Sequence, residues 1–210
     1  MKNKKTYYQL ILDRSGSMQD CINETISGFN EQIQMIQNFQ NKFPEQEFFV
    51  SLGIFNNLIE HPVKMKKPND VNVLTRENFV PNGGTALLDA IGESVFSLKG
   101  QIQCEIENDE ATAVVVILTD GYENASRHFN WEAIRRLILD LEATKSWTFS
   151  FLGSTLDAID IASRMNIKKQ NAVYFSKVNI KDTLTNMSES FVDYAAKKQR
   201  LEKPDSFLKK

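Results

Sequence analysis

Apolar residues recur along this chain in two alternating rhythms. Tyr7 to Leu12 is a compact aromatic and aliphatic run, after which Ile22, Ile26, Phe29, Ile33, Ile36 and Phe39 return at spacings of three and four. The first rhythm predicts a strand and the second the buried stripe of a long amphipathic helix. Pro44 lies just beyond that helix, and Phe48 to Phe55 predicts a second strand. Asn56-Asn57 then reads as a hairpin turn, which sets Leu58 to Val63 antiparallel at a sheet edge, where Pro62 is tolerated because an edge N–H can be lost. The stretch from Lys64 to Pro81 is polar and irregular, with a short helix expected around Val73 to Phe79.

Gly83-Gly84-Thr85 opens a second long helix carrying Leu87, Leu88, Ile91, Val95 and Leu98, with Thr85 near its N-terminus and Gly100 placed to help end it. Ala113 to Leu118 is unbroken apolar sequence, the mark of a central strand buried on both faces, and it stops abruptly at Thr119-Asp120-Gly121. A helix near Trp131 to Ala143, a strand from Trp147 to Leu152, a helix near Leu156 to Met165 and a short strand from Ala172 to Phe175 follow. Leu184, Met187, Phe191 and Tyr194 mark a last helix. Strands alternating with helices predict an α/β fold with a mostly parallel sheet covered on both faces.

The chain has 210 residues, enough for one such domain, taken as residues 1–203 with 204–210 as a C-terminal tail. With 41% hydrophobic and 25% charged residues it has the composition of a folded globule rather than a disordered segment. A net charge of −2 gives no field that would recruit nucleic acid or anionic lipid. Basic residues gather at the ends, in Lys2, Lys4 and Lys5 and again from Lys197 to Lys210, and are read as solvated tails. No apolar run approaches the roughly 20 residues that a bilayer requires, and no small-residue cleavage site follows the basic N-terminus, so a cytoplasmic protein is expected. Cys21 and Cys104 lack metal-ligand spacing and are expected to be reduced thiols, buried or half-buried.

Ligands of open α/β sheets collect beyond the carboxyl ends of the parallel strands. Three loops fall there: Asp13-Arg14-Ser15-Gly16-Ser17, Pro81-Asn82-Gly83-Gly84-Thr85 and Thr119-Asp120-Gly121. They offer hydroxyls and carboxylates without His or Cys, a donor set for a hard cation such as Mg²⁺, with Mn²⁺ or Ca²⁺ as alternatives. Zinc prefers nitrogen and sulfur, and two histidines, His61 and His128, cannot build a histidine-rich zinc site.

Asp13-x-Ser15-x-Ser17, followed by Thr85 and then Asp120, resembles the metal ion-dependent adhesion site of von Willebrand factor type A domains. The flanking words Ile11-Leu12-Asp13, Gly83-Gly84-Thr85-Ala86-Leu87 and Leu118-Thr119-Asp120-Gly121 match as well, and the similarity runs from Tyr7 through the last helix. The resemblance implies a Rossmann-like three-layer α/β/α sandwich whose six-stranded sheet is mostly parallel with one antiparallel edge strand. It implies that Ser15 and Ser17 ligate the metal directly, Thr85 directly or through water, and Asp13 and Asp120 largely through water and hydrogen bonds, with Asp13 orienting both serine hydroxyls. Neutral ligands leave the ion electrophilic, and in the family an acidic side chain of a partner protein completes it. In integrin-type members the ion's shift is coupled to movement of the final helix; here that is an expectation only. Lacking secretory signals and disulfides, the chain looks like the free-standing intracellular members of bacteria.

A protein-binding role without catalysis is therefore expected. A Mg²⁺-dependent phosphatase using Asp13 as nucleophile is the first rival, but such enzymes place a second Asp where this chain has Ser15. Neither a Gly-x-x-x-x-Gly-Lys phosphate loop nor a Gly-x-Ser-x-Gly elbow occurs. A structural subunit with an incidental metal site is the other alternative. Asp89, Asp109, Asp157 and Asp160 are read as helix-surface or capping carboxylates, and Arg14, Met18, Asn82, Tyr122, Glu123 and Asn124 as candidate rim residues of a partner surface.

Overall fold

The computed structural model describes residues 5–199; the tail expected at 204–210, the basic residues Lys2 and Lys4 and those from Arg200 onward lie outside them. Eleven elements build the domain from these residues. They are β1 (Lys5–Asp13), α1 (Ile22–Lys42), β2 (Glu47–Phe55), β3 (Ile59–Lys66), α2 (Leu87–Glu107), β4 (Ala111–Thr119), α3 (Trp131–Ala143), β5 (Trp147–Gly153), α4 (Ala158–Arg164), β6 (Ala172–Tyr174) and α5 (Ile180–Gln199). The six strands form one sheet in the order β3-β2-β1-β4-β5-β6. Every neighbouring pair is parallel except β2–β3, whose hairpin carries Pro62 on the edge strand as expected.

Side chains alternate across the central strands and divide the core in two. Tyr8, Leu10, Leu12, Val114, Val116 and Leu118 pack with α1 and α5 on one face. Tyr7, Ile11, Ala113, Val115 and Ile117 pack with α2, α3 and α4 on the other. The period of two places every second residue of a strand under the same helices, and burial of both faces explains why β4 is apolar from end to end. Leu184, Met187 and Tyr194 are buried against α1 and the sheet, as the helical spacing predicts; the side chain of Phe191 lies outside the described ones.

Three local expectations are corrected. The helix expected at Val73 to Phe79 is a single turn: Asn78 accepts from Thr75 N–H (2.7 Å) and donates to the Val73 carbonyl (3.1 Å), so side-chain bonds replace the helical ladder. Gly100 does not end α2, which runs on to Glu107 because Ile102 still has core to fill; the chain turns at Asp109, with φ of 60°. Cys104 is exposed, whereas Cys21 is buried, and burial pushes the Cys21 thiol up to about 11. No helix among the described residues is long and apolar enough to cross a membrane.

Gly100 supplies a simple stability test. A Cβ there meets nothing within 4 Å, so Gly100→Ala should remove backbone entropy from the unfolded chain at no steric cost. A gain of about 0.5–1 kcal/mol is expected in urea denaturation. A loss of stability would show that the helix is strained at this point.

Candidate functional site

β1 continues through α1 to β2 on one side, whereas β4 lies on the other side of β1, so the sheet reverses its winding between β1 and β4. A crevice opens at such a point beyond the strand ends. Asp13 is the last residue of β1 and Asp120 follows directly on β4, which puts both carboxylates at its mouth.

Short hydrogen bonds tie the first and last loops together. Asp13 Oδ1 accepts the Ser15 N–H at 2.7 Å, and its Oδ2 accepts the Thr119 hydroxyl at 2.5 Å. The Ser15 and Ser17 hydroxyl oxygens stand 3.0 Å apart, and Ser17 donates to Asp120 Oδ1 at 2.6 Å. Asp13 thus fixes the loop through the Ser15 backbone and Thr119, whereas the Ser17 hydroxyl is held by Asp120 and not by Asp13 as expected. Asp13 is fully buried, and desolvation pushes its carboxyl up to about 6 despite the bonds it accepts from Thr119 and Ser15.

Thr85 comes from the middle loop, Pro81 to Thr85. Gly121 packs between its hydroxyl and that of Ser17: a Cβ on Gly121 would stand 3.1 Å from Thr85 Oγ1 and 3.5 Å from Ser17 Oγ. Thr85 does not cap the helix it precedes, because α2 begins at Leu87 and its first amides are met from elsewhere. Leu88 N–H donates to Glu123 and Asp89 N–H to Ser126. Nor does Ser15, at the start of the 3₁₀ turn Gly16–Cys21, make a side-chain cap.

A scaffold of long-range contacts holds these loops. Asn124 accepts from Thr85 N–H at 2.9 Å and returns its own N–H to the Thr85 carbonyl at 3.1 Å. Glu123 gathers the amides of Ala125 and Ser126 as well as that of Leu88. Asn57 accepts from Gly84 N–H, and Gly83, at φ of 73°, passes its carbonyl to Gly16 N–H. Glu123 and Asn124 therefore support the site, and Asn124, like Tyr122, is exposed. Met18 is buried, and Arg14 is paired with Glu60 at 2.7 Å. Asp89 is also buried rather than on the helix surface: it accepts the N–H groups of Arg127, His128 and Phe129.

One cation at the site was not foreseen from the sequence. Lys177, in the 3₁₀ turn Lys177–Asn179 beyond β6, brings Nζ to 2.7 Å from Asp120 Oδ2. That oxygen is buried and receives no well-aligned hydrogen bond among the described residues, so the contact is an ion pair first. The same ammonium donates to the Ser17 carbonyl at 2.7 Å and reaches Asp20 at 3.5 Å. Burial alone would lower its proton affinity, but Asp120 more than offsets this and holds Lys177 above its ordinary range. Its place just after a parallel strand was the available signal.

The donor set suits a hard cation. Two hydroxyls 3.0 Å apart, a third across Gly121, and a buried carboxylate oxygen met by an ammonium form an oxygen-lined place that already draws positive charge. Among the described residues no group of three or more His, Cys, Asp or Glu side chains could form a nitrogen, sulfur or all-carboxylate centre.

No protein-family model matches the chain, and no curated protein matches it. Solved structures do. The ArnB paralog VWA2 from Sulfolobus acidocaldarius aligns over 89% of this chain and 46% of its own, with TM-score 0.56 and 17% identity. A von Willebrand factor type A protein from Catenulispora acidiphila aligns over 90% and 42%, with TM-score 0.52 and 12% identity. Proximal thread matrix protein 1 from the mussel byssus, with a zinc-occupied metal ion-dependent adhesion site, aligns over 88% and 47%, with TM-score 0.53 and 15% identity. This chain spans less than half the length of each, and the likeness is one of fold: a Rossmann-like α/β domain of the von Willebrand factor A type, with six strands and one antiparallel edge pair.

Proposed function

We propose that this domain is a divalent-metal-dependent protein-binding module, not an enzyme. Ser15, Ser17 and Thr85 would hold the ion, most naturally Mg²⁺, and Asp13 and Asp120 would act on it through hydrogen bonds and water. Bound there, the metal supplies an electrophile whose outward position takes a Glu or Asp carboxylate of a partner. The observation that carries this reading is the convergence of Ser15, Ser17 and Asp120 within 3.0 Å contacts, with Thr85 across Gly121. Catalysis finds less support, since Asp13 has both oxygens engaged and His61 stands on edge strand β3 against Ser94. The zinc-occupied site of the mussel protein supports the metal by analogy of fold.

Gly121→Ala tests the geometry without removing a ligand. A methyl group 3.1 Å from Thr85 Oγ1 crowds the space between the hydroxyls, so Mg²⁺ affinity in calorimetry should fall roughly tenfold, about 1.4 kcal/mol. Partner capture should fall with it, and should vanish with chelator, while the far-ultraviolet circular dichroism stays unchanged. Capture indifferent to both chelator and Gly121→Ala would favour a structural subunit instead, and turnover of chromogenic phosphate or acyl esters would favour a hydrolase.

A further inference from the structure

Lys177 is the least expected member of the site, and its surroundings suggest what it does. Its ammonium is gripped by three oxygens from three places: Asp120 Oδ2, the Ser17 carbonyl and, more loosely, Asp20. Asp120 is the carboxylate whose other oxygen holds the Ser17 hydroxyl, so Lys177 neutralises the charge that a metal at the hydroxyls would draw upon. An ammonium and a divalent cation on one buried carboxylate repel each other strongly at such range, because little water lies between them to screen the charges.

The turn that carries Lys177 is built to let go. Its two ends are anchored, by Phe175 at 2% exposure and Ile180 at 0%, but Val178 between them is 84% exposed. None of residues 176–179 contributes a buried side chain of its own, so the turn can shift without pulling a side chain out of the core. Asp20, 79% exposed at 3.5 Å, offers the displaced ammonium a second carboxylate nearer solvent.

We infer that Lys177 is a tethered occupant of the cation position, which a divalent metal must displace, so that metal binding moves the turn 176–179 and its exposed Val178. This rests on the metal-binding reading above. Lys177 then sets the metal affinity of the domain: it keeps Asp120 neutralised without metal and makes the site answer only to metal above a threshold concentration. The apparent dissociation constant is raised by the inverse of the fraction of time the ammonium is off Asp120.

Calorimetric titration of the wild-type protein, Lys177→Met, Lys177→Gln and Lys177→Arg with Mg²⁺ and Mn²⁺ tests this. Met and Gln should bind about tenfold more tightly than wild type, the ratio expected if the ammonium holds Asp120 about nine-tenths of the time. Arg keeps the charge and should stay near wild type. A reversal in melting temperature is the second signature: in chelator Met and Gln melt below wild type, since Asp120 loses its counter-charge, and in saturating Mg²⁺ they melt at or above it. A lysine with a merely structural role would lower melting in both buffers. Unchanged or weaker metal binding in both Met and Gln overturns the inference while leaving the metal site standing. No metal binding in any of the four proteins overturns the metal site and this inference together.

Discussion

Asp13→Asn should make the metal-free protein more stable at neutral pH and abolish its affinity for magnesium. The asparagine side chain has the shape of the one it replaces: its oxygen can accept the Ser15 N–H, and its NH₂ can donate to Thr119, whose hydroxyl can turn to the Gly121 carbonyl at 3.3 Å. What disappears is a buried negative charge. The Asp13 carboxyl is pushed from its ordinary 3.8 to about 6 by desolvation, so the fold resists its ionisation. The sign follows from linkage: above pH 6 the carboxylate is charged in both states and the fold bears the desolvation. As pH falls from about 6 toward 3.8, the folded protein takes up a proton that the unfolded chain does not, and stability rises. Asn should therefore add on the order of 2–3 kcal/mol in chelator at pH 7.5 and lose the gain progressively as pH drops through about 6 toward 3.8. Saturating Mg²⁺ reverses the order, since at a thousandfold excess over its dissociation constant wild type gains about 4.1 kcal/mol while the variant gains nothing. On the proposed reading Mg²⁺ draws on the Asp13 charge through water and hydrogen bonds, so wild-type Mg²⁺ affinity should weaken below about pH 6, where the carboxyl takes up a proton. Equal melting temperatures in chelator at pH 7.5, or undiminished Mg²⁺ binding, would remove Asp13 from this role.

Asp89→Ala is expected to be the most damaging substitution outside the site itself. Burial alone would raise the Asp89 carboxyl, but three backbone N–H donors at 2.8–2.9 Å, from Arg127, His128 and Phe129, outweigh it and hold it below the ordinary value. Charge-assisted bonds of this kind are the strong ones, and their joint loss should cost about 3 kcal/mol in urea denaturation. The same loop carries Glu123 and Asn124, which clasp the start of α2 and the backbone of Thr85, so Mg²⁺ affinity should fall as well. Asn is a poor substitute, because its NH₂ would face an N–H. The stabilising contribution of Asp89 is present above pH 3.8 and is lost as pH falls through its lower folded value. A loss below about 1 kcal/mol would mean that the loop is held chiefly by Glu123.

Much of the fold was legible in the sequence because its signals are local. The spacing of Ile22 through Phe39, the unbroken run from Ala113 to Leu118 and the Asn56-Asn57 turn each report a periodicity that the backbone imposes within a few residues. Misreadings came where a local rule met a tertiary one. Gly100 punctuates by propensity, yet Ile102 packing carries α2 through it; Asn78 satisfies by side chain what a helix would satisfy by ladder.

By itself, then, the sequence determined the order of strands and helices and which loops would present oxygen donors beyond the strand ends, since both follow from short-range pattern. Only the tertiary structure decided how those donors are used: that Asp120 rather than Asp13 holds the Ser17 hydroxyl, that Glu123 and Ser126 and not Thr85 meet the first amides of α2, and that Lys177 reaches the site. The partners in these contacts lie from 35 to 160 residues apart, and no spacing along a chain encodes which of several equally polar side chains will meet once the sheet has closed.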